Sequence, residues 1–162
     1  MHKIKLEIKW ALIFVVTMLL WMFLERSAGL HDQYIEWHPV LTNLVAIPAL
    51  IIYYLALTDK RKSQYSGYMT YNQGFICGLV ITLIITALSP ATQYITSKFI
   101  TPDYFDNMIA YTTRDNLMPK EDAEAYFNLK NYIMQSIMFT PVMGLITTAI
   151  IAFFTKRKPK DK

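Results

Sequence analysis

Apolar residues are concentrated in four long blocks that are separated by polar segments. The blocks cover residues 10–24, 40–57, 74–88 and 132–154, and they contain no Asp, Glu, Lys, Arg or His. A helix rises 1.5 Å per residue, so about 20 apolar residues cross a hydrocarbon core about 30 Å thick. A soluble bundle is the alternative, but its helices would show a charged face, which these blocks lack. The pattern therefore predicts an all-α membrane protein with four transmembrane helices.

The predicted spans extend the apolar blocks into their flanking residues. Within one domain of residues 1–162, they cover approximately residues 8–27, 39–57, 72–99 and 130–154. The first block is short, and Ile8 and a snorkelling Lys9 would complete it. A signal peptide is the alternative, because lysines precede this block. The only candidate cleavage site, at residues 27–29, is weak, so we interpret the block as an uncleaved span.

The polar segment at residues 101–129 is expected to form a short helical cap between the third and fourth spans. The sequence TPD at 101–103 offers a capping threonine, a proline in the first turn and an acid near the helix N-terminus. A short helix should follow, with one face that carries Phe105, Met108 and Ile109. Pro119 is predicted to start another helix that runs without interruption into the fourth span.

Charged residues are only 17% of the chain and are unequally distributed. Eleven of the 16 basic residues lie in the N-terminal segment, the segment after the second span and the C-terminal segment. The other two polar segments hold nine of the 12 acidic residues. With four spans, the three basic segments fall on one side, which the positive-inside rule places in the cytoplasm. We therefore expect a multi-pass membrane protein with its N-terminus and C-terminus both cytoplasmic.

Small residues recur at every fourth position in the last two spans. Lipid tails are as apolar as leucine, so spanning helices associate through the close approach that small residues permit. Positions four apart share one helix face, which predicts a tight crossing of the third and fourth spans, with a homodimer seam as the alternative. The eight helix-packing positions are Gly74, Gly78, Thr82, Thr86, Thr140, Gly144, Thr148 and Ala152.

The first outer segment holds the candidates for metal chemistry. They are His31, Asp32, Glu36 and His38, with Glu25 as a further candidate. These residue types suit zinc or manganese, but their spacing matches no established motif and loop polarity explains them as well. The apolar blocks offer no acid or histidine that would mark an ion pathway. We therefore predict that the protein has no catalytic residue and binds no cofactor.

Several segments resemble a known family. They are SGYMTYNQGFICGLVITLI at 66–84, YITSKFITPDYFDNMI at 94–109, a Pro-x-x-Gly at 141–144, and FFTKRK at 153–158. The chain is similar to a bacterial four-span membrane family known as domain of unknown function 4199. Gln73, Gly74, Gly78 and residues 99–103 carry most of the likeness. The resemblance implies four helices in an inner membrane over nearly the whole chain, and it implies no activity and no site residues.

The sequence favours a non-enzymatic membrane scaffold or accessory subunit whose acidic cap faces a partner. One alternative is a small transporter or channel subunit, which would need an oligomer because four helices without polar lining leave no pore. Another is a metal-dependent membrane enzyme built on the outer histidines and acids. Expected partners are the lipid bilayer, anionic lipid headgroups at the cytoplasmic face, and another membrane protein or a second copy of the chain. Nucleic acid is not expected, because the basic tails lack readout elements.

Overall fold

Four long helices form the body of the molecule, and two short helices form a cap at one end. The computed structural model describes residues 4–159. In chain order the helices are α1 (Lys5–Ser27), α2 (Ile35–Gln64), α3 (Tyr71–Ile100), α4 (Tyr104–Arg114), α5 (Lys120–Tyr126) and α6 (Leu129–Thr155). No strand occurs in this described part of the chain. Four of these helices, α1, α2, α3 and α6, are long and apolar enough to cross a membrane, which confirms the predicted all-α class with four spans.

Two helices begin at caps that the local sequence supplies. Thr70 and Gln73 form a reciprocal capping box at the start of α3, where each side chain bonds to the other's backbone amide. Asn128 caps α6 by accepting a hydrogen bond from the amide of Asn131 at 2.9 Å. The prediction of an uninterrupted helix from Pro119 into the fourth span is therefore wrong. The helix α5 ends at Tyr126, and the backbone of Asn128 is extended, so a separate helix begins at Leu129.

The start of the cap also differs from the sequence-based expectation. Thr101 does not cap α4, which begins at Tyr104 after Asp103. The Thr101 hydroxyl instead donates to the carbonyl of Thr96 at 3.2 Å and so completes the π-helical last turn of α3, Thr96–Ile100. Pro102, which was expected in the first turn of the cap helix, instead lies between the end of α3 and the start of α4. It therefore separates the third span from the cap.

The most extensive helix–helix contact joins α3 to α6. The end of the bundle near the helix termini Lys5, Gln64, Tyr71 and Thr155 is called the basic end here, and the opposite end the cap end. A buried cluster toward the basic end includes Ala56, Leu57, Met69, Ile81 and Ile151. Many large apolar side chains of α1, such as Leu12, Val16 and Leu20, are exposed, as expected for a helix that faces lipid.

The cap packs on the bundle through a second, separate apolar cluster. Ile35 of α2, Tyr104 and Met108 of α4, Ala123 of α5 and Phe127 are buried together. Phe105 and Tyr132 pack against this cluster with their ring centroids 5.0 Å apart. The cap is thus held against the first turns of α2 and α6 and covers the loop that joins α1 to α2.

Candidate metal centre

Three potential metal ligands converge beneath the cap. Glu25 lies in the last turn of α1, His31 in the loop that follows, and His38 in the first turns of α2. The Nε2 atoms of His31 and His38 lie 3.2 Å and 3.4 Å from the same oxygen, Oε2 of Glu25. The three ligand atoms are within 4.8 Å of one another. Glu25 and His31 are buried, and His38 is nearly so.

A glycine turn at the end of α1 brings His31 back against Glu25. Gly29 has a φ of +76°, the left-handed conformation that glycine adopts without a Cβ penalty. Its amide donates to the carbonyl of Arg26 at 2.9 Å, and the amide of Leu30 donates to the carbonyl of Glu25 at 3.0 Å. This pair of bonds is the Schellman arrangement at a helix C-terminus. It reverses the chain so that the loop side chains face the last turn of α1.

The carboxylate of Glu25 is oriented by neighbours other than the histidines. Trp21, one turn earlier on α1, donates from its indole Nε1 to Oε1 of Glu25 at 2.5 Å. The side chain of Thr42 also lies against this carboxylate. Oε1 therefore accepts from the indole, while Oε2 faces the two imidazoles. Such outer hydrogen bonds hold a metal-ligating carboxylate in one orientation.

The cap closes the site through Tyr104 and Asn107 of α4. The Tyr104 ring lies 5.1 Å from the rings of both His31 and His38, and its hydroxyl lies 3.4 Å from Nδ1 of His38. Burial raises the pKa of the Tyr104 phenol, so it keeps its proton over the working pH range. Asn107 donates from Nδ2 to the carbonyl of His31 at 2.8 Å. The cap therefore positions both histidines.

Two of the three distances between the ligand atoms suit a tetrahedral ion. Ligands about 2.0–2.2 Å from a zinc ion lie about 3.3–3.6 Å from one another at the corners of a tetrahedron. The edges that join Oε2 of Glu25 to the Nε2 atoms of His31 and His38 measure 3.2 Å and 3.4 Å. The edge between the two histidines is the one that would have to adjust. Two imidazoles and one carboxylate are also a known set of protein ligands for zinc.

Two imidazole nitrogens in the site lack a hydrogen bond. Nε2 of His38 and Nδ1 of His31 are buried, and neither has a hydrogen-bond partner among residues 4–159. A buried polar atom without a partner costs about 1–3 kcal/mol. Without a metal, the 3.4 Å contact between Nε2 of His38 and Oε2 of Glu25 offsets only part of that cost. A metal on the Nε2 atoms would remove it there.

The structure separates the candidates that the sequence grouped together. It brings His31 and His38 to Glu25, whereas Asp32 and Glu36 are exposed on the loop and in the first turn of α2. Asp32 accepts a hydrogen bond from the backbone amide of Gln33. Sequence reasoning missed Trp21 and Tyr104. Their roles depend on a one-turn spacing along α1 and on the packing of α4, and no metal motif in the sequence indicates either.

The predicted helix-packing residues lie where α3 meets α6. A Cβ added to Gly78 would lie 3.1 Å from the Cβ of Thr148, and one added to Gly144 would lie 3.0 Å from the Cβ of Thr82. Each glycine thus faces a threonine of the other helix. Gly74 faces Ala152 at a longer distance of 3.5 Å. The remaining two positions, Thr86 and Thr140, are half-buried.

A buried ion pair at the basic end was not anticipated from the sequence. Nζ of Lys60 lies 2.5 Å from Oε1 of Glu7, and both residues are buried. Asp59 accepts from Lys9 at 2.6 Å and from the Trp10 indole at 2.8 Å. The four charged residues lie outside the apolar blocks, but α1 and α2 extend beyond the blocks and carry them to the basic end of the bundle. Buried charges of this kind are stable only as pairs.

Four membrane-length helices closed by a small cap define the molecule as a multi-span helical membrane protein. A family model described as "Protein of unknown function (DUF4199)" matches residues 9–157. The match covers more than half of the chain, and the chain belongs to this family. No curated protein matches the chain, and no solved structure matches it.

Proposed function

We propose that this protein is a zinc-binding membrane scaffold or accessory subunit. Glu25, His31 and His38 would hold the ion, which would tie the end of α1 and the loop after it to the start of α2, directly beneath the cap. The observation that carries the proposal is the placement of both histidine Nε2 atoms 3.2 Å and 3.4 Å from one carboxylate oxygen. Helix α1, the loop after it and α2 each supply one ligand, so one ion would link these three segments, and α4 covers the site with the ring of Tyr104.

The ligand set favours zinc over the hard cations. Calcium and magnesium take oxygen ligands almost exclusively, whereas two imidazoles with one carboxylate suit zinc and other transition metals. The site is also small and buried, which fits a four-coordinate ion better than one with six or more ligands. Three protein ligands leave one coordination position, which a water would occupy.

A stabilising role agrees with the burial of the site better than a catalytic one. Zinc enzymes also use two histidines and one glutamate, but they keep a position open to substrate. Here Tyr104 lies over both imidazoles, and Glu25 and His31 are only 3% and 4% exposed. The proposed role is therefore non-enzymatic. The acidic residues on the outer surface of the cap would then form the face that meets a partner protein.

The proposed orientation places the cap outside the cytoplasm and both chain termini inside. It is supported by the concentration of basic residues in the terminal segments and in the α2–α3 connection. A bacterial inner membrane is the location that this orientation and the family likeness favour. In that setting the metal site would draw its ion from the extracytoplasmic side.

Metal binding by the purified full chain tests the proposal. After treatment with a chelator, the protein in mild detergent should bind one zinc ion per chain in a calorimetric titration. Glu25→Gln and His38→Ala should each abolish this binding or lower it more than the loss of an outer partner does, which is about 10–100-fold. Trp21→Phe, which removes such an outer partner, should fall within that range.

The exposed acids of the same segment supply matched controls. Asp32→Asn and Glu36→Gln should bind zinc as the parent protein does, because neither residue belongs to the buried site. A thermal melt of each variant without metal would separate lost binding from lost folding. The proposal fails if the parent chain takes up no zinc, or if the two control variants lose as much affinity as Glu25→Gln.

A further inference from the structure

A cavity of about 650 Å³ lies between the four spanning helices on the cap side of the bundle. Its walls come from α1, α2, α3 and α6. Along α6 it extends from Ser136 to Ile150, which is about 20 Å at 1.5 Å per residue. Its volume falls within the range of about 300–1,000 Å³ that is typical of small-molecule sites.

The cavity opens sideways toward the surface that faces lipid. Leu50 of α2 and Met143 and Ile146 of α6 line it and are also exposed on the outside of the bundle. On the inner side, Phe14 of α1 and Tyr53 of α2 close it. A molecule dissolved in the bilayer could therefore enter between α2 and α6 without passing through the cap.

The polar side chains of the lining are neutral, and most of them gather toward the cap end. They include Thr42, Asn43, Ser89, Gln93 and Ser136. The residues that line the cavity include no Asp, Glu, Lys, Arg or His. The remainder of the wall is largely apolar. An occupant with a long apolar chain and a small, uncharged polar head would match this distribution.

The hydrogen bonds of these side chains indicate which kind of head would fit. The amide of Asn43 donates to the carbonyl of Pro39 at 2.8 Å, and that of Gln93 donates to the hydroxyl of Ser97 at 3.1 Å. Ser89 and Ser136 donate to helix carbonyls at 2.9 Å and 2.8 Å. These bonds occupy the donors of Asn43 and of the two serines, and within the described part of the chain they leave one N–H of Gln93 free.

Acceptors, in contrast, remain available at the cap end of the cavity. The amide oxygens of Asn43 and Gln93 accept no hydrogen bond from residues 4–159. A ligand head that donates hydrogen bonds would pair with them. A quinone head, which only accepts hydrogen bonds, would leave both of these amide oxygens without a donor, whereas a hydroxyl can donate to them and also accept from Gln93. A charged head would be desolvated without an opposite charge to compensate it.

From this we infer that the cavity binds a single-chain lipid alcohol, such as a monoacylglycerol. The hydroxyl head would lie near Asn43 and Gln93, and the chain would run between α2 and α6 toward Tyr53. This inference is independent of the zinc site, because none of the three proposed metal ligands lines the cavity. The protein would thus hold a neutral lipid of the bilayer in one defined place.

Binding of 1-monooleoylglycerol to the full chain in mild detergent, followed by native mass spectrometry, tests this inference. The matched probes are methyl oleate, which has the same chain without hydroxyls, and oleate and a lysophosphatidylglycerol, which carry a charge. We expect methyl oleate to bind at least about fivefold more weakly, as the loss of one net hydrogen bond implies. Equal binding of the four probes would overturn the assignment of the head.

Two substitutions of alanine by tryptophan test the position of the chain. Ala49→Trp would fill the cavity, since Ala49 lines it, whereas Ala87→Trp places the same ring on the exposed face of α3. Binding should be lost in the first variant and kept in the second. Gln93→Leu supplies an independent variant in case Ala49→Trp does not fold. It should weaken monooleoylglycerol about fivefold and leave methyl oleate unchanged. Full binding by a folded Ala49→Trp, or equal effects of Gln93→Leu on both probes, would refute the inference.

Discussion

Replacing Gly78 with alanine tests the contact between α3 and α6. The new Cβ would lie 3.1 Å from the Cβ of Thr148 and 2.5 Å from its Cγ2. Carbon atoms pack favourably at about 3.5–4.0 Å, so Thr148 must rotate or the helices must separate. Thr148 is fully buried, so rotation has little free space. Overpacking costs about 1–3 kcal/mol, and alanine regains about 1 kcal/mol of helix propensity. We expect a net loss of about 1 kcal/mol in the free energy of unfolding.

Gly74→Ala is the matched control on the same helix, one turn earlier. Its Cβ would lie 3.5 Å from the Cβ of Ala152, which is an ordinary contact. The nearer neighbour, at 3.1 Å, is the terminal methyl of Met69, which is also buried but sits at the end of a flexible side chain and needs to shift by only a few tenths of an ångström. The propensity gain should therefore dominate, and we expect this variant to be as stable as the parent or up to about 1 kcal/mol more stable.

A second substitution separates the steric effect from other causes. Thr148→Ala removes the Cγ2 and Oγ1 atoms that the new Cβ would meet, and Oγ1 has no hydrogen-bond partner among residues 4–159. The double variant Gly78→Ala/Thr148→Ala should therefore be more stable than the sum of its single changes. We expect a coupling energy of about 1 kcal/mol, within the usual range for residues in contact.

Thermal unfolding in mild detergent, followed by far-ultraviolet circular dichroism, measures these differences. For a chain of this length, 1 kcal/mol corresponds to about 2–4 °C in Tm. Gly78→Ala should melt lower than the parent, Gly74→Ala should not, and the double variant should recover part of the loss. Equal losses at positions 74 and 78, or additive effects of Gly78→Ala and Thr148→Ala, would refute the close approach described here.

The orientation, the buried ion pair and the cap can be tested in the same way. Reporter fusions should be cytoplasmic at Lys62 and extracytoplasmic at Asn116, and the reverse at either position would contradict the proposed orientation. Lys60→Met should lower the free energy of unfolding by about 3–5 kcal/mol because it leaves Glu7 buried without a partner, whereas the double replacement Glu7→Leu/Lys60→Met should restore much of it. Phe105→Ala should cost up to about 1.5–3 kcal/mol of apolar burial and speed proteolysis of the cap, and unchanged protection would show that the cap does not depend on this ring.

The membrane class and the number of spans are evident from the sequence. Four uncharged blocks of suitable length are a local property of the chain, and the bilayer imposes the helical form because backbone groups in lipid must bond internally. The small-residue series in α3 and α6 likewise marks the two faces that the structure brings together. What the series does not specify is the pairing of Gly78 with Thr148 and of Gly144 with Thr82, which depends on the relative shift of the two helices.

The helix boundaries and the metal site show where local patterns stop being sufficient. The sequence around Asn128 predicts a continuous helix, but the backbone of Asn128 is extended and divides α5 from α6. The sequence does not show which polar residues of the first outer segment are buried and which are exposed. Asp32 and Glu36 share the chemistry of Glu25, but only Glu25 faces the two histidines.

Hydropathy is a sum over residues along the chain, so the sequence by itself determined that this is a helical membrane protein with four spans. It also determined that the polar segments on one side of the spans are basic and those on the other side are acidic. The tertiary structure alone decided that one carboxylate, two imidazoles and the ring of Tyr104 share a buried pocket. That convergence arises because Gly29 reverses the chain after α1 and because α4, more than 65 residues after His38, packs over the reversal. The geometry of a turn and the docking of a distant helix are set by packing, which no local pattern of residues records.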